Sequence, residues 1–168
     1  LGDAVKLVNL RGKLMQDAVP QGQGAMAAIL GLDDAKVIQL CEQVNAQGLG
    51  SVEAANYNAQ GQVVIAGDKA PVEAVMAAAK EQSGKAIALP VSVPSHCSLM
   101  KPAAEKFAAA LEQTAIELPG LPVIQNVNAE IATDVAGVRQ ALTAQLYQSV
   151  QWTKTMQYLQ DQGVQYVV

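Results

Sequence analysis

The 168-residue sequence predicts an α/β fold. Three observations lead to this prediction: 51% of the residues are hydrophobic, apolar residues recur with helical spacing in several long segments, and short β-prone runs alternate with those segments. A chain of this length and composition can form one domain, or two small lobes, with a real hydrophobic core.

The beginning of the chain predicts one helix followed by a link. Apolar residues recur with helical spacing over Leu1–Ala18, and Pro20 ends the pattern. Arg11 falls on the apolar face of this helix, one turn from Met15. Its guanidinium must either reach out to solvent or meet a buried anion, and the pattern alone leaves both possibilities open.

The next segment, Gly24–Val91, alternates strands and helices in the order β-α-β-β-α-β. The predicted strands are Ala25–Leu30, Val52–Asn58, Gln62–Ala66 and Lys85–Val91, and the predicted helices are Asp33–Ala46 and Asp68–Ser83. Both helices are polar on one face and rich in Ala, Val and Met on the other, as expected for helices that cover one antiparallel sheet. This order indicates the split, ferredoxin-like unit.

The rest of the chain returns to larger α/β material. The predicted elements are a helix over Leu99–Thr114, a strand over Val123–Val127, helices over Val135–Tyr147 and Thr153–Gln162, and a strand over Val164–Val168. We therefore predict that residues 24–91 form a ferredoxin-like subdomain inserted in a larger α/β body, to which residues 1–23 and 92–168 belong. Both ends fall inside predicted elements, so we expect the chain to be a fragment of a larger protein.

Composition argues against several functions. The net charge is −4 and only 4% of the residues are aromatic, so the chain offers neither a basic stripe nor a stacking platform for nucleic acid. No apolar run approaches the roughly 20 residues that span a membrane, and no signal peptide is visible, which predicts a soluble, cytoplasmic protein. Cys41 and Cys97 lie far apart and predict reduced thiols, with no metal site.

His96 is the only histidine in the sequence, and it lies in Pro94-Ser95-His96-Cys97 at a predicted strand-to-helix junction. Junctions of this kind often carry catalytic groups in α/β folds, and a histidine titrates near neutral pH, so His96 is a candidate general base. Two other interpretations stay open. His96 could be a hydrogen-bonded core residue, or it could activate Cys97 as a nucleophile, although adjacent side chains usually diverge.

Five runs of residues, in order and at matching spacing, resemble the malonyl-CoA:acyl carrier protein transacylases of bacterial fatty acid synthesis. These runs are Leu7–Gln16, Gly24–Ile29, Asn56–Gly67, Pro90–Cys97 and Gln145–Trp152. The resemblance covers essentially the whole chain. It implies an α/β-hydrolase-like body that carries a ferredoxin-like subdomain, in agreement with the insertion predicted above.

The resemblance also implies roles for individual residues. Arg11 would bind the free carboxylate of the malonyl group, His96 would be the general base, and the backbone carbonyl of Gln145 would hold the second ring nitrogen of His96. Met15 and Met26 would line the pocket, and Asn56 and Asn58 would lie close to the acyl site. The implied partners are malonyl-CoA as substrate and acyl carrier protein as acceptor, with no cofactor.

One feature of the resembled family is missing. Its nucleophilic serine belongs to a Gly-x-Ser-x-Gly elbow, and no such arrangement occurs in these 168 residues. We therefore expect the chain alone to be inactive. The alternatives are a non-catalytic ferredoxin-like binding module, an acyltransferase domain of a multidomain synthase, and a purely structural fragment.

Overall fold

The computed structural model of the chain describes residues 1–91 and 93–166. Its helices are α1 (Gly2–Ala18), α2 (Asp34–Asn45), α3 (Lys69–Glu81), α4 (Lys101–Glu112), α5 (Val135–Ala144) and α6 (Trp152–Asp161). Its strands are β1 (Gly24–Leu30), β2 (Val52–Ala59), β3 (Gln62–Asp68) and β4 (Lys85–Ala88). A single 3-10 turn, Ser98–Met100, leads directly into α4. None of the helices in these two described ranges is long and apolar enough to cross a membrane.

The four strands form one antiparallel sheet in the order β2-β3-β1-β4. The predicted β-α-β-β-α-β order of elements is confirmed. Helices α2 and α3 cover one face of the sheet, because alternate strand residues such as Ala27, Ile29 and Ile65 point toward them and are fully buried. Strand β2 lies at one edge of this sheet.

The opposite face of the sheet is also covered, by the segment that contains His96. Met26, Val64 and Ala66 point to this face and form a second buried cluster with Cys97. Burial on both faces explains why Val63–Gly67 of β3 reads as an unbroken apolar run instead of alternating. The residues next to His96 are therefore packed directly onto the sheet.

A third cluster joins α1 to α4. Met15 of α1 packs with Met100, directly before α4, and with Phe107 in α4. Leu146, just beyond α5, belongs to the same cluster. The guanidinium of Arg139 in α5 donates from Nε to the carbonyl of Leu111 at 3.0 Å, which ties α5 to the end of α4. Helix α1 is thereby held beside both segments that flank the predicted base.

One predicted strand near the end of the chain is wrong, and another does not form over its described residues. Val123–Val127 forms only one isolated bridge, between Ile124 and Ile131, because no neighbouring strand pairs with it in the described part of the chain. Residues 164–166 are not in a strand, and the last two residues of that prediction lie outside the described residues. A β-prone run becomes a strand only when another strand completes its hydrogen bonds.

Two other predicted boundaries need correction. Strand β4 ends at Ala88 and not at Val91, since Pro90 has no N–H to donate. Helix α5 ends at Ala144 and not at Tyr147, and this early end sets the direction of the backbone carbonyls that follow.

Replacement of Gly67 should test the contact between β2 and β3. A Cβ atom there would lie 2.1 Å from the carbonyl oxygen of Ser51, and that oxygen already accepts from the N–H of Asp68. We expect Gly67→Ala to lower the free energy of unfolding by about 3 kcal/mol, measured by urea denaturation. Gly120→Ala is the control, because nothing lies within 4 Å of its Cβ position. Equal unfolding midpoints for the two variants would contradict the close approach of the strands.

Candidate active site

The backbone at His96 has an unusual conformation. Its φ is +63°, in the left-handed region that costs a non-glycine residue roughly 1–2 kcal/mol. The N–H of His96 donates to the carbonyl of Leu146 at 3.0 Å, and the thiol of Cys97 donates to the carbonyl of Pro94 at 3.2 Å. These bonds hold the turn in place between the sheet and α4.

The imidazole of His96 is bound by the carbonyl oxygen of Gln145, 2.7 Å from Nδ1. A carbonyl can only accept a hydrogen bond, so Nδ1 must carry the proton. The other nitrogen, Nε2, then holds a lone pair in the neutral ring. The contact between His96 and Gln145 expected from the resemblance is present, and it leaves one ring nitrogen able to take a proton.

The surroundings keep the imidazole neutral. Burial lowers the pKa of His96 below its ordinary value, the hydrogen bond to the Gln145 carbonyl raises it, and the positive charge of Arg11 lowers it further, with a net decrease. At neutral pH the ring is therefore unprotonated and can act as a base. The positive charge of Arg11 thus acts in the same direction as burial.

Arg11 is half-buried on α1, and its Nε is enclosed by protein without a hydrogen-bond partner in the described part of the chain. Burial lowers the pKa of Arg11, but a guanidinium remains charged in a protein. A buried donor on a cation is costly unless an anion meets it. The arrangement favours the second of the two possibilities raised by the sequence, a meeting with a buried anion.

The two predicted pocket methionines lie in different clusters. Met15, one turn from Arg11, packs with Leu146, the residue whose carbonyl holds the His96 backbone. Met26 packs on the other side of the turn, against Cys97. Both are buried, so their contacts show core packing on either side of His96, and a pocket-lining role stays a prediction.

The two predicted asparagines lie on β2 and are half-buried. Asn56 forms a parallel bridge with Val150, a few residues beyond Gln145, so its backbone is tied to the segment that holds the imidazole. Asn58 lies at a second irregularity near the end of the strand, between Tyr57 and Ala59. The backbone of Asn56 is thus tied to the segment that follows Gln145, and the roles of both asparagines stay predictions.

The alternative in which Cys97 is the nucleophile is not supported by its surroundings. Its side chain is fully buried, its thiol donates to the Pro94 carbonyl, and burial raises the pKa of Cys97 to about 12. A thiol in this state is inert, since the thiolate is the reactive form. Burial raises the pKa of Cys41 to about 12 as well.

Sequence reasoning missed two groups at the site. The carbonyl of Leu146 holds the His96 backbone, and the carboxylate of Glu53 binds Ser98, two residues after His96. A backbone carbonyl carries no sequence signal, and nothing in residue type or spacing links positions 53 and 98. Within residues 1–91 and 93–166 no three His, Cys, Asp or Glu side chains are grouped to hold a metal ion, and the absence of a metal or cofactor stays a prediction.

A neutral imidazole that can take a proton and a half-buried guanidinium are groups that group-transfer chemistry can use as base and anion-binding cation. The chain belongs to the acyl transferase domain family, whose sequence model matches residues 1–168. This confirms the family predicted from the five sequence runs.

Several relatives have the same name. The chain is 51% identical over 166 residues to the malonyl CoA-acyl carrier protein transacylase of Salmonella typhimurium, and 52% identical over 166 residues to that of Escherichia coli K12. In each case the match covers 98% of this chain and 53% of the relative. The chain therefore spans about half the length of the curated relatives it matches.

Solved structures have the same fold. FabD from Acinetobacter baumannii is 83% identical and superimposes with a TM-score of 0.96, covering 98% of this chain and 52% of that one. A malonyl-transacylase solved in complex with a type II polyketide acyl-carrier protein is 49% identical with a TM-score of 0.93, covering 96% of this chain and 52% of that one. Both likenesses support the α/β fold described above.

The charge of Arg11 should be visible in the titration of His96. Because that charge lowers the pKa of His96, Arg11→Gln should raise it toward the ordinary value near 6.5. The measurement is an NMR titration of the natural full-length protein, with the ring signal assigned by a His96→Gln variant. Lys13→Gln is the control, because Lys13 is an exposed cation on the same helix. An unchanged pKa in Arg11→Gln would show that the two groups do not interact.

Proposed function

We propose that the natural protein containing this chain transfers a malonyl group from coenzyme A to the phosphopantetheine thiol of acyl carrier protein. The observation that carries the proposal is the buried Nε of Arg11, which has no hydrogen-bond partner among the described residues. The names of the relatives, malonyl CoA-acyl carrier protein transacylase, support the same substrate and acceptor.

Arg11 would select the acyl group. A planar guanidinium can donate two parallel, charge-assisted hydrogen bonds to a carboxylate, and a neutral acetyl group offers no such acceptor. Because Arg11 is half-buried, the bonds would form largely out of water, where they discriminate more strongly. The preference would therefore be for acyl groups that end in a carboxylate.

His96 would move the proton. The nucleophile would be the hydroxyl of a serine, which this chain does not supply in a Gly-x-Ser-x-Gly elbow. Nε2 of His96 takes the hydroxyl proton, the oxygen attacks the thioester carbonyl, the C–S bond breaks, and the proton passes to the coenzyme A sulfur. In the second half of the reaction the same steps run in reverse, with the thiol of the carrier protein in place of that of coenzyme A. The bond to the Gln145 carbonyl fixes the tautomer that makes Nε2 the acceptor.

The proposed architecture is an α/β-hydrolase-like body that carries a ferredoxin-like subdomain. The strand order β2-β3-β1-β4, with two helices on one face, supports the subdomain over residues 24–91. Residues 1–23 and 92–168 would belong to the body. Arg11 and His96 lie outside the subdomain, which favours the enzyme over a free-standing binding module. A cytoplasmic location, the absence of a cofactor and the inactivity of the chain alone remain predictions.

Substitution of Arg11 should affect activity toward malonyl-CoA and acetyl-CoA differently. In the full-length protein, Arg11→Gln should lower kcat/KM for malonyl-CoA about 100-fold, as expected for the loss of charge-assisted hydrogen bonds. Arg11→Lys should recover part of this loss, since it keeps the charge but not the planar fork. Activity toward acetyl-CoA should not fall. Lys13→Gln is the matched control, and an equal decrease for both substrates would contradict the assigned role.

His96 variants should slow acylation. Intact-mass analysis after incubation with malonyl-CoA should show one added malonyl group on the full-length wild-type protein. In His96→Gln the rate of its formation should fall about 1000-fold, because a positioned base contributes roughly 10²–10⁴. Lys106→Gln, an exposed change on α4, is the control. A wild-type protein that forms no adduct would refute the proposed function.

A further inference from the structure

We propose that Glu53, on the edge strand β2, is a positioning residue that holds the His96 turn against the sheet through Ser98. The inference rests on the proposed function for its meaning in catalysis, although the geometry it describes can be measured independently. Neither Glu53 nor Ser98 belongs to the five sequence runs that resemble the transacylases.

Glu53 binds Ser98 with its whole carboxylate. The N–H of Ser98 donates to both carboxylate oxygens at 3.3 Å, and the hydroxyl of Ser98 donates to Oε1. Ser98 opens the 3-10 turn that leads into α4, so the carboxylate lies where the free N–H groups of a helix start favour an anion. Both side chains are half-buried, which limits the competition from water.

The same strand also bonds to the segment that follows Gln145, the partner of His96. The hydroxyl of Ser149 donates to the carbonyl of Ala54 at 2.6 Å, and Val150 exchanges backbone bonds of 2.9 Å with Ala55 and Tyr57. These contacts occupy the open edge of β2 and fix the segment that follows Gln145. Strand β2 therefore bonds to the chain just after each member of the His96–Gln145 pair.

The His96 turn needs support on its C-terminal side. Its backbone is in the left-handed region, and such a conformation persists only where neighbouring contacts enforce it. The bond to Leu146 acts at His96 itself, and the thiol of Cys97 bonds within the turn to Pro94. Glu53 links the following residue to the sheet. Loss of that link would let the turn relax and lengthen the 2.7 Å bond from Nδ1 to the Gln145 carbonyl.

Glu53 reaches His96 through Ser98, because the N–H and the hydroxyl of Ser98 donate to its carboxylate. Glutamine at position 53 would keep an oxygen that accepts from Ser98 while removing the charge. The conservative variant Glu53→Gln should therefore preserve the position of His96.

The test uses the full-length protein, with malonyl transfer kinetics and the ¹⁵N NMR spectrum of the His96 ring as readouts. Glu53→Ala should lower kcat about tenfold and leave KM within about twofold, because Arg11 still binds the substrate. Its spectrum should show a new population with the proton on Nε2. Glu53→Gln should stay within about threefold of wild type in kcat, with the Nδ1–H tautomer retained. Glu73→Ala, which removes an exposed carboxylate from α3, should match wild type in both readouts.

Ser98→Ala is a second variant that tests the same link if Glu53→Ala does not fold. It removes only the hydroxyl bond and keeps the N–H contact, so a smaller loss of about threefold in kcat is expected at unchanged KM. Wild-type kcat and tautomer in both Glu53→Ala and Ser98→Ala would overturn the proposal, and so would equal losses in Glu53→Ala and Glu53→Gln. A wild-type protein that does not transfer malonyl would refute the proposed function instead, while the tautomer spectra would still decide the role of Glu53.

Discussion

The hydrogen bond from Nδ1 of His96 to the carbonyl of Gln145 is the interaction on which the rest of the site depends. It decides which ring nitrogen carries the proton, and it joins two segments that are 49 residues apart in the sequence. The surrounding packing holds the two bonded segments in position. The end of α5 at Ala144 directs the carbonyl, and the cluster of Met15, Met100 and Leu146 holds α1, α4 and the α5 end together.

Besides forming its own core, the four-stranded sheet contacts the turn that carries His96. One face is covered by α2 and α3, and the other receives Cys97 from the His96 turn. Its edge strand β2 bonds to Val150 and to Ser98, so the sheet contacts the chain close to both members of the His96–Gln145 pair.

Much of the fold could be predicted from the sequence, because helical and alternating patterns report local burial directly. Helix α1 and strands β1 to β3 begin and end within about two residues of the prediction. The failures at Val123–Val127 and at the end of α5 concern tertiary partners, which a local pattern does not contain. At the site, His96 and Arg11 were identifiable by their residue types and by the family resemblance. Glu53 was not, because its link to Ser98 exists only in the folded chain.

Among the described residues the buried Nε of Arg11 has no hydrogen-bond partner, which links ligand binding to the stability of the fold. A buried donor gains more from a new acceptor than an exposed one does, so a carboxylate that bonds to it would favour the folded over the unfolded chain.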